Sequence, residues 1–279
     1  MTNSPTRDLG AGNPLPMSHR PIDDVPGHWL LARLGKRVLR PGGRELTDLL
    51  ISEANPRGAD VVELAPGLGK TARMLLAEHP ASYRGVDQDP DAVALAQRAV
   101  GDAGVVSQAD ADDTGLPGDS ADLVIGEAML TMQGAKGKDA IVAEAHLVLR
   151  DGGRYAIHEL CLEPDALDDT QKTEIRQALA RSIKVNARPL TTQEWIELLT
   201  SHGFTVTSVQ HNGMELLKPR RNLADEGVLG VARIVFNLLR HPGARRRVLA
   251  MRSVFNQYSD NLAAIAIVAE KTTGKDSHV

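Results

Sequence analysis

Two kinds of hydrophobic pattern alternate along this chain. From residue 60 onward, short runs rich in Val, Ile, Leu and Ala recur at 61–65, 82–87, 104–110, 121–128 and 153–160. Stretches with apolar residues at helical spacing, 70–78, 90–100 and 138–149, lie between them. Runs that are apolar at nearly every position predict strands covered on both faces. Strands alternating with helices predict a parallel sheet flanked by helices on both sides. The punctuation agrees: Pro80 closes the first of these helices, Pro90 opens the second, and Asp151-Gly152-Gly153 ends the third.

Beyond residue 160 the period lengthens. Helices are expected over 168–183 and 192–202, and a sixth strand over 204–210. A long helical excursion over 223–258 follows, and then a last strand over 262–270. Ahead of the alternating region, 28–38 and 44–54 read as two helices separated by Pro41-Gly42-Gly43. The expected division is a flexible leader (1–24), a helical cap (25–56), a core (57–218 and 259–273), a helical lid insertion (219–258) and a tail (274–279).

Within 226–240, the polar residues Glu226, Arg233, Asn237 and Arg240 fall near one stripe, and the rest is apolar or glycine. So narrow a polar stripe predicts a helix with most of its surface covered. A strongly basic stretch, 241–252, comes next. A packed helix with a solvated turn, a lid over an apolar substrate and a membrane-surface helix all stay open.

Composition narrows the function. The 279 residues carry 32 Lys plus Arg and 36 Asp plus Glu, a net charge of −4, and only 3% are aromatic. Binders of single-stranded nucleic acid offer aromatic platforms in basic grooves, so such a role is not expected. A single cysteine, Cys161, excludes an internal disulfide and any multi-cysteine metal site; it reads as a small buried residue, and no metal site is expected. The longest apolar run, 262–269, is far short of the roughly 18–20 residues of a bilayer crossing. With no apolar signal segment at the start, a cytoplasmic location is expected.

The informative stretch is Glu63-Leu64-Ala65-Pro66-Gly67-Leu68-Gly69-Lys70-Thr71, at a strand-to-helix turn where open α/β sheets bind ligands. A phosphate-cradling loop is suggested by Gly69-Lys70-Thr71, but that motif needs glycine where Leu64 stands. A dinucleotide fingerprint is met by Gly67, Gly69 and Ala72, with Asp87 following at the spacing of a ribose-binding acid. Against it, Glu63 is unwelcome beside a pyrophosphate and Pro66 removes a backbone donor. The third reading is an acid followed by G-x-G that receives a ligand bearing an amino group and a sulfonium, for which a nearby carboxylate is favourable.

In that third reading the chain resembles the class I S-adenosylmethionine-dependent methyltransferases, over 60–160 and again in the last two strands. Within the class it resembles the small-molecule branch that includes ubiquinone- and menaquinone-biosynthesis enzymes. The resemblance rests also on Tyr83-Arg84-Gly85-Val86-Asp87-Gln88, on Gln108-Ala109-Asp110-Ala111, on the shortened Leu116-Pro117-Gly118-Asp119-Ser120-Ala121-Asp122 stretch, and on Leu149-Arg150-Asp151-Gly152-Gly153. It implies an α/β, Rossmann-like, doubly wound sheet of seven mostly parallel strands, the last antiparallel, with an N-terminal helical cap and a helical insertion before the last strand. S-adenosylmethionine is the implied cofactor. The residues implied to hold it are Glu63, Leu64, Ala65, Gly67 and Gly69 in the loop, Asp87 on the ribose, Gln88 beside adenine, Asp110 and Ala111 at the adenine edge, and Gly126 and Glu127 at the fourth strand. Asp112 stays open as an alternative to Asp110; Asp89, Asp119 and Asp122 read as turn or cap residues.

The fourth strand ends in Gly126-Glu127-Ala128-Met129 and lacks the D/N-P-P-Y/F of nucleic-acid amino-methylating enzymes. A small-molecule acceptor is expected, with a homodimer left open. The cofactor's methyl is already activated, so a base is optional. Candidates are His158, Glu127 and His28; His158 and Glu159 point to opposite faces of their strand, so one at most faces the site. Trp29, Phe236, Phe255 and Tyr258 fall in the cap and the excursion, which points to an apolar or ring-bearing acceptor. An oxidoreductase using NAD(P), or a non-catalytic protein of the same fold, are the alternatives.

Overall fold

The computed structural model describes residues 15–214 and 219–272. The predicted leader 1–24 falls partly, and the tail 274–279 entirely, outside them. Eight strands form one sheet: β1 (Asp60–Leu64), β2 (Ser82–Asp87), β3 (Val105–Gln108), β4 (Ala121–Glu127), β5 (Leu149–Leu162), β6 (Leu190–Thr191), β7 (Phe204–Gly213) and β8 (Leu262–Lys271). Their order is β3-β2-β1-β4-β5-β8-β7, with the two-residue β6 beside the end of β5. Only β8 runs against the rest, pairing antiparallel with β5 and β7. The sheet expected from sequence is therefore present, with β6 as an addition too short to leave a pattern.

Both faces are covered, which is why these strands are apolar at nearly every position. On one face Leu46 and Leu50 of α2 (Gly43–Ala54), Leu75 of α3 (Lys70–Ala77) and Ala96 of α4 (Pro90–Val100) pack on Val61, Leu123 and Ile125. On the other, Ile141 and Ala145 of α5 (Ala135–Val148) join Trp195 and Leu199 of α7 (Thr192–Ser201) over Val62, Val124 and Ile157. The chain leaves β1 toward β2 on one side, while β4 lies on the other. This reversal opens a crevice at the carboxyl ends of the central strands. The register aligns Leu64 with Val86 and with Gly126, so the loop after β1, Asp87 and Glu127 share that edge.

The cap differs from expectation in where it starts. Leu15 is already buried, and the Arg33 side chain of α1 (Gly27–Arg33) donates to the carbonyls of Met17 and Arg20. Residues 15–24 therefore belong to the cap. Its α1 packs on α6 (Asp169–Ile183) and α9 (Pro242–Gln257) so closely that a β-carbon on Gly27 would come 2.9 Å from Met251 Sδ.

The excursion is α8 (Pro219–Arg240), whose helical path is kinked at Gly227 (φ 70°, ψ 175°), followed by α9 after a break at His241-Pro242. The expectation that most of α8 is covered is overturned. Two residues of its polar stripe face inward: Glu226 accepts from the amides of Arg37 and Val38 at 2.7 and 2.8 Å, and Asn237 Nδ2 donates to the Leu34 carbonyl, while Arg233 and Arg240 are exposed. The apolar residues Val228, Leu229, Val235, Phe236 and Leu239 face outward instead. The backbone groups left open after α1 recruit Glu226 and Asn237, because buried amides and carbonyls need partners.

Candidate active site

Between the cap and the carboxyl edge of the sheet lies a cavity of about 550 Å³. Its floor is the turn from β1 to α3. Ala65, Gly67 and Gly69 all have positive φ there, which bends the backbone sharply around Pro66. The two glycines have different reasons to be glycine. A β-carbon on Gly69 would lie 2.4 Å from Ala99 Cβ, so its bareness lets the turn pack on α4. One on Gly67 would meet nothing closer than 3.9 Å, so its bareness leaves open space over the turn. The ring of Trp29, from α1, stands across that space at 4.0 Å.

Asp87 ends β2 beside this turn and is buried. Its Oδ2 accepts from the Gly67 amide at 3.1 Å and its Oδ1 from the Asp89 amide at 3.0 Å. Burial raises its pKa, with those two amides acting in opposition. One lone pair on each oxygen stays free. Asp89 caps α4, accepting from the Asp91 and Ala92 amides, as its position before Pro90 predicts. Glu63 is buried at the end of β1 and accepts the Tyr83 hydroxyl at 2.6 Å. Burial pushes its pKa up to about 8.

Glu127 closes the floor on the β4 side. Thr47 and His158 Nδ1 sit on its Oε1 at 2.6 and 2.8 Å, and Arg40 and Thr71 sit on its Oε2. Burial opposes its charge, but the Arg40 guanidinium, helped by His158 and Thr47, outweighs burial and holds the carboxyl well below the usual range. Glu127 is thus an ion with every lone pair occupied. His158 is fully buried beneath it, with Nε2 unpartnered and off the cavity wall. The expectation that Glu127 or His158 supplies a base is therefore corrected: one has no lone pair to offer, and the other has no access to an acceptor. Glu159 faces the opposite side, where it accepts from the amides of Met129, Leu130 and Thr131 and so clamps the loop after β4.

Of the residues expected at the site, Glu63, Ala65, Gly67, Asp87, Gln88, Glu127 and His28 line the cavity. Leu64, Gly69 and Gly126 support it from behind, in the core or the turn. Asp110 is exposed, bridged to Asp113, and neither it nor the half-buried Ala111 reaches the wall. Of the aromatic residues, Trp29 and Phe255 line the cavity. Phe236 is instead exposed, and Tyr258 packs against the same cluster as Phe255 and bonds Glu174, without lining the cavity. Arg40, Thr47 and Thr71 had no sequence signal tying them to Glu127.

The upper wall is apolar. Met17, Met129, Met132, Met214 and Met251, most of the chain's seven methionines, line it with Leu31, Leu160, Ile183 and Phe255. His28 stands among them, its ring 5.0 Å from that of Trp29. Burial brings its pKa down to about 4, so the imidazole is neutral at neutral pH.

Comparison with known proteins agrees with this geometry. Residues 62–157 match the family model described as a methyltransferase domain. An uncharacterized protein of Haemophilus influenzae is 33% identical over 254 residues, 89% of this chain and 99% of its own length. Among solved structures, MccD superposes with a TM-score of 0.66 at 20% identity, over 84% of this chain and 99% of its own. Phosphoethanolamine N-methyltransferase 2 of Haemonchus contortus, solved with S-adenosyl-L-methionine, gives 0.64 at 18% identity, over 88% of this chain and 57% of its own. Residues 62–157 are thus a methyltransferase domain, and the chain as a whole shares the fold of these solved structures.

Proposed function

We propose that this enzyme methylates a small, apolar or ring-bearing acceptor by in-line displacement, with the cap and α9 forming the acceptor's side of the cavity. One observation carries the reading: the wall facing the Gly67 turn is built from methionines and aliphatic side chains, with His28 and Trp29 at its centre. Flexible, polarizable methionines adapt to an apolar guest of irregular shape.

The chain's own groups suit the cofactor. Asp87 keeps two lone pairs for a pair of ribose hydroxyls, Gly67 leaves room for close approach, and Gln88 borders the adenine end. Glu63, on the cavity floor, would be the carboxyl group that receives the cofactor's amino group, while Glu127, its lone pairs filled, would hold Arg40, Thr47 and Thr71 in place around it. When bound, S-adenosylmethionine supplies a methyl group on sulfonium sulfur, already activated for transfer. The protein's task is to orient the acceptor and exclude water. His28, the one base candidate that lines the cavity unsaturated by ion pairs, would take a proton from an acceptor that loses one. A cytoplasmic setting suits the single thiol, Cys161, which is buried and has its pKa pushed up to about 12 by burial.

Two measurements test the proposal. S-adenosylhomocysteine should raise the melting temperature and NADH should not; the reverse would restore the dehydrogenase reading. Methyl-labelled S-adenosylmethionine, incubated with the enzyme and a cell extract, should deliver label to solvent-extractable products. Label confined to water-soluble products or protein would overturn the apolar acceptor.

A further inference from the structure

Among the described residues, five of the nine large exposed apolar side chains lie on the outward face of α8. Leu229 is 87% exposed, Val228 73%, Leu239 65%, Phe236 52% and Val235 48%. At 100° per residue these five fall within an arc of about 120°. On α9 Leu249 is exposed as well, and elsewhere the large exposed apolar residues among those described are only Leu49, Val105 and Leu147. The rest of the helix explains why this face is outward. Glu226 and Asn237 are held by the backbone after α1, and Leu238 packs against the cap cluster. The apolar arc therefore stays exposed without melting the helix.

Charge identifies the occupant. Between Gly227 and Ser259 the sequence holds six arginines and no Asp, Glu or Lys, in a chain whose net charge is −4. Arg247 turns inward to the carbonyls of Ile22 and Val25, and a β-carbon on Gly35 would meet the stem of Arg233. Arg240, Arg245, Arg246 and Arg252 are exposed, with Arg240 lying over the Phe236 ring at 5.2 Å. A second copy of the same face would set arginine against arginine. An exposed apolar arc flanked by arginines matches an anionic bilayer, whose headgroups take the guanidinium groups while the arc dips into the acyl boundary. Among the described residues no helix is long and apolar enough to cross a membrane, so the contact is one of lying on the surface. The next helix, α9, lines the cavity through Met251 and Phe255.

We propose that the α8–α9 hairpin docks the enzyme on an anionic lipid surface, with Val228, Leu229, Val235, Phe236 and Leu239 inserted and Arg240, Arg245, Arg246 and Arg252 on headgroups. The full chain should sediment with vesicles of equimolar phosphatidylglycerol and phosphatidylcholine, less so at high salt, and far less with phosphatidylcholine alone. Leu229→Glu/Phe236→Glu should lose binding by at least roughly a hundredfold. Arg245→Gln/Arg246→Gln should lose roughly thirtyfold. Both variants should keep the melting shift given by S-adenosylhomocysteine, which separates docking from catalysis. Absence of sedimentation, equal binding to both vesicles, or a dimer that Leu229→Glu/Phe236→Glu converts to monomer without any vesicle binding by the parent would each overturn the proposal.

Discussion

The guanidinium of Arg40, from the cap, closes on the carboxylate of Glu127 at the end of β4, and both side chains are more than nine-tenths buried. The pair joins the cap to the sheet directly beneath the cavity. Removing the cation would strand a buried anion, which costs about 3–5 kcal/mol. Arg40→Met should therefore lower the stability measured by denaturant titration by that order. Arg40→Met/Glu127→Gln, with no charge left to strand, should recover a substantial part. A double variant no more stable than Arg40→Met would mean that Arg40 acts by packing alone.

The two glycines of the turn should separate under substitution. Each has positive φ, so alanine costs about 1–2 kcal/mol at either. Gly69→Ala adds a clash with Ala99 and should cost about 1–3 kcal/mol more, relieved in part by Ala99→Gly. Gly67→Ala meets open space, so it should spare most of the stability and weaken S-adenosylhomocysteine instead. Thermal melts with and without that ligand distinguish the two; equal loss of stability at both positions would refute the division of roles.

Asp87→Ala removes the free lone pairs assigned to the ribose. Hydrogen bonds to a charged group are worth about 1.5–3 kcal/mol, so affinity for S-adenosylhomocysteine should fall roughly tenfold to a hundredfold. Calorimetry measures it directly. Unchanged affinity would take Asp87 out of the ribose site and leave it as a clamp on the Gly67 and Asp89 amides.

What was legible in the sequence is local. Glu63, Gly67 and Asp87 sit at strand ends whose apolar runs and turn residues identify them, so their meeting at one edge follows from the parallel sheet. The Arg40–Glu127–His158 cluster unites residues 87 and 31 positions apart, and no spacing rule announces it. His158 is a base candidate only by its place at the sheet's carboxyl edge, beside the reading of a structural strand-end histidine; its burial under Glu127 is a matter of packing. The methionines of the wall come from the cap, the loop after β4, the end of β7 and α9, and are individually indistinguishable from core. For α8, periodicity revealed the stripe but not its direction. A polar stripe faces water by default, and here backbone groups after α1 capture Glu226 and Asn237 and leave Arg233 and Arg240 exposed.

His28 gives the pH test. Burial in the apolar cavity lowers its pKa from 6.5 to about 4, because the folded protein resists the charged imidazolium. Between these values the unfolded chain binds the proton and the folded one does not. The stability tied to neutral His28 is therefore complete above about pH 6.5 and is lost as pH falls through about 4. Glu63 works in the opposite sense at higher pH, since its raised pKa makes stability fall as pH rises toward about 8. Comparing the parent with His28→Phe cancels the Glu63 contribution and leaves that of His28. The parent's melting temperature should drop relative to His28→Phe as pH falls from about 7 to about 4.5, with no divergence above neutrality. A pH-independent difference would place His28 in contact with water and remove it from the dry wall against which the acceptor is proposed to lie.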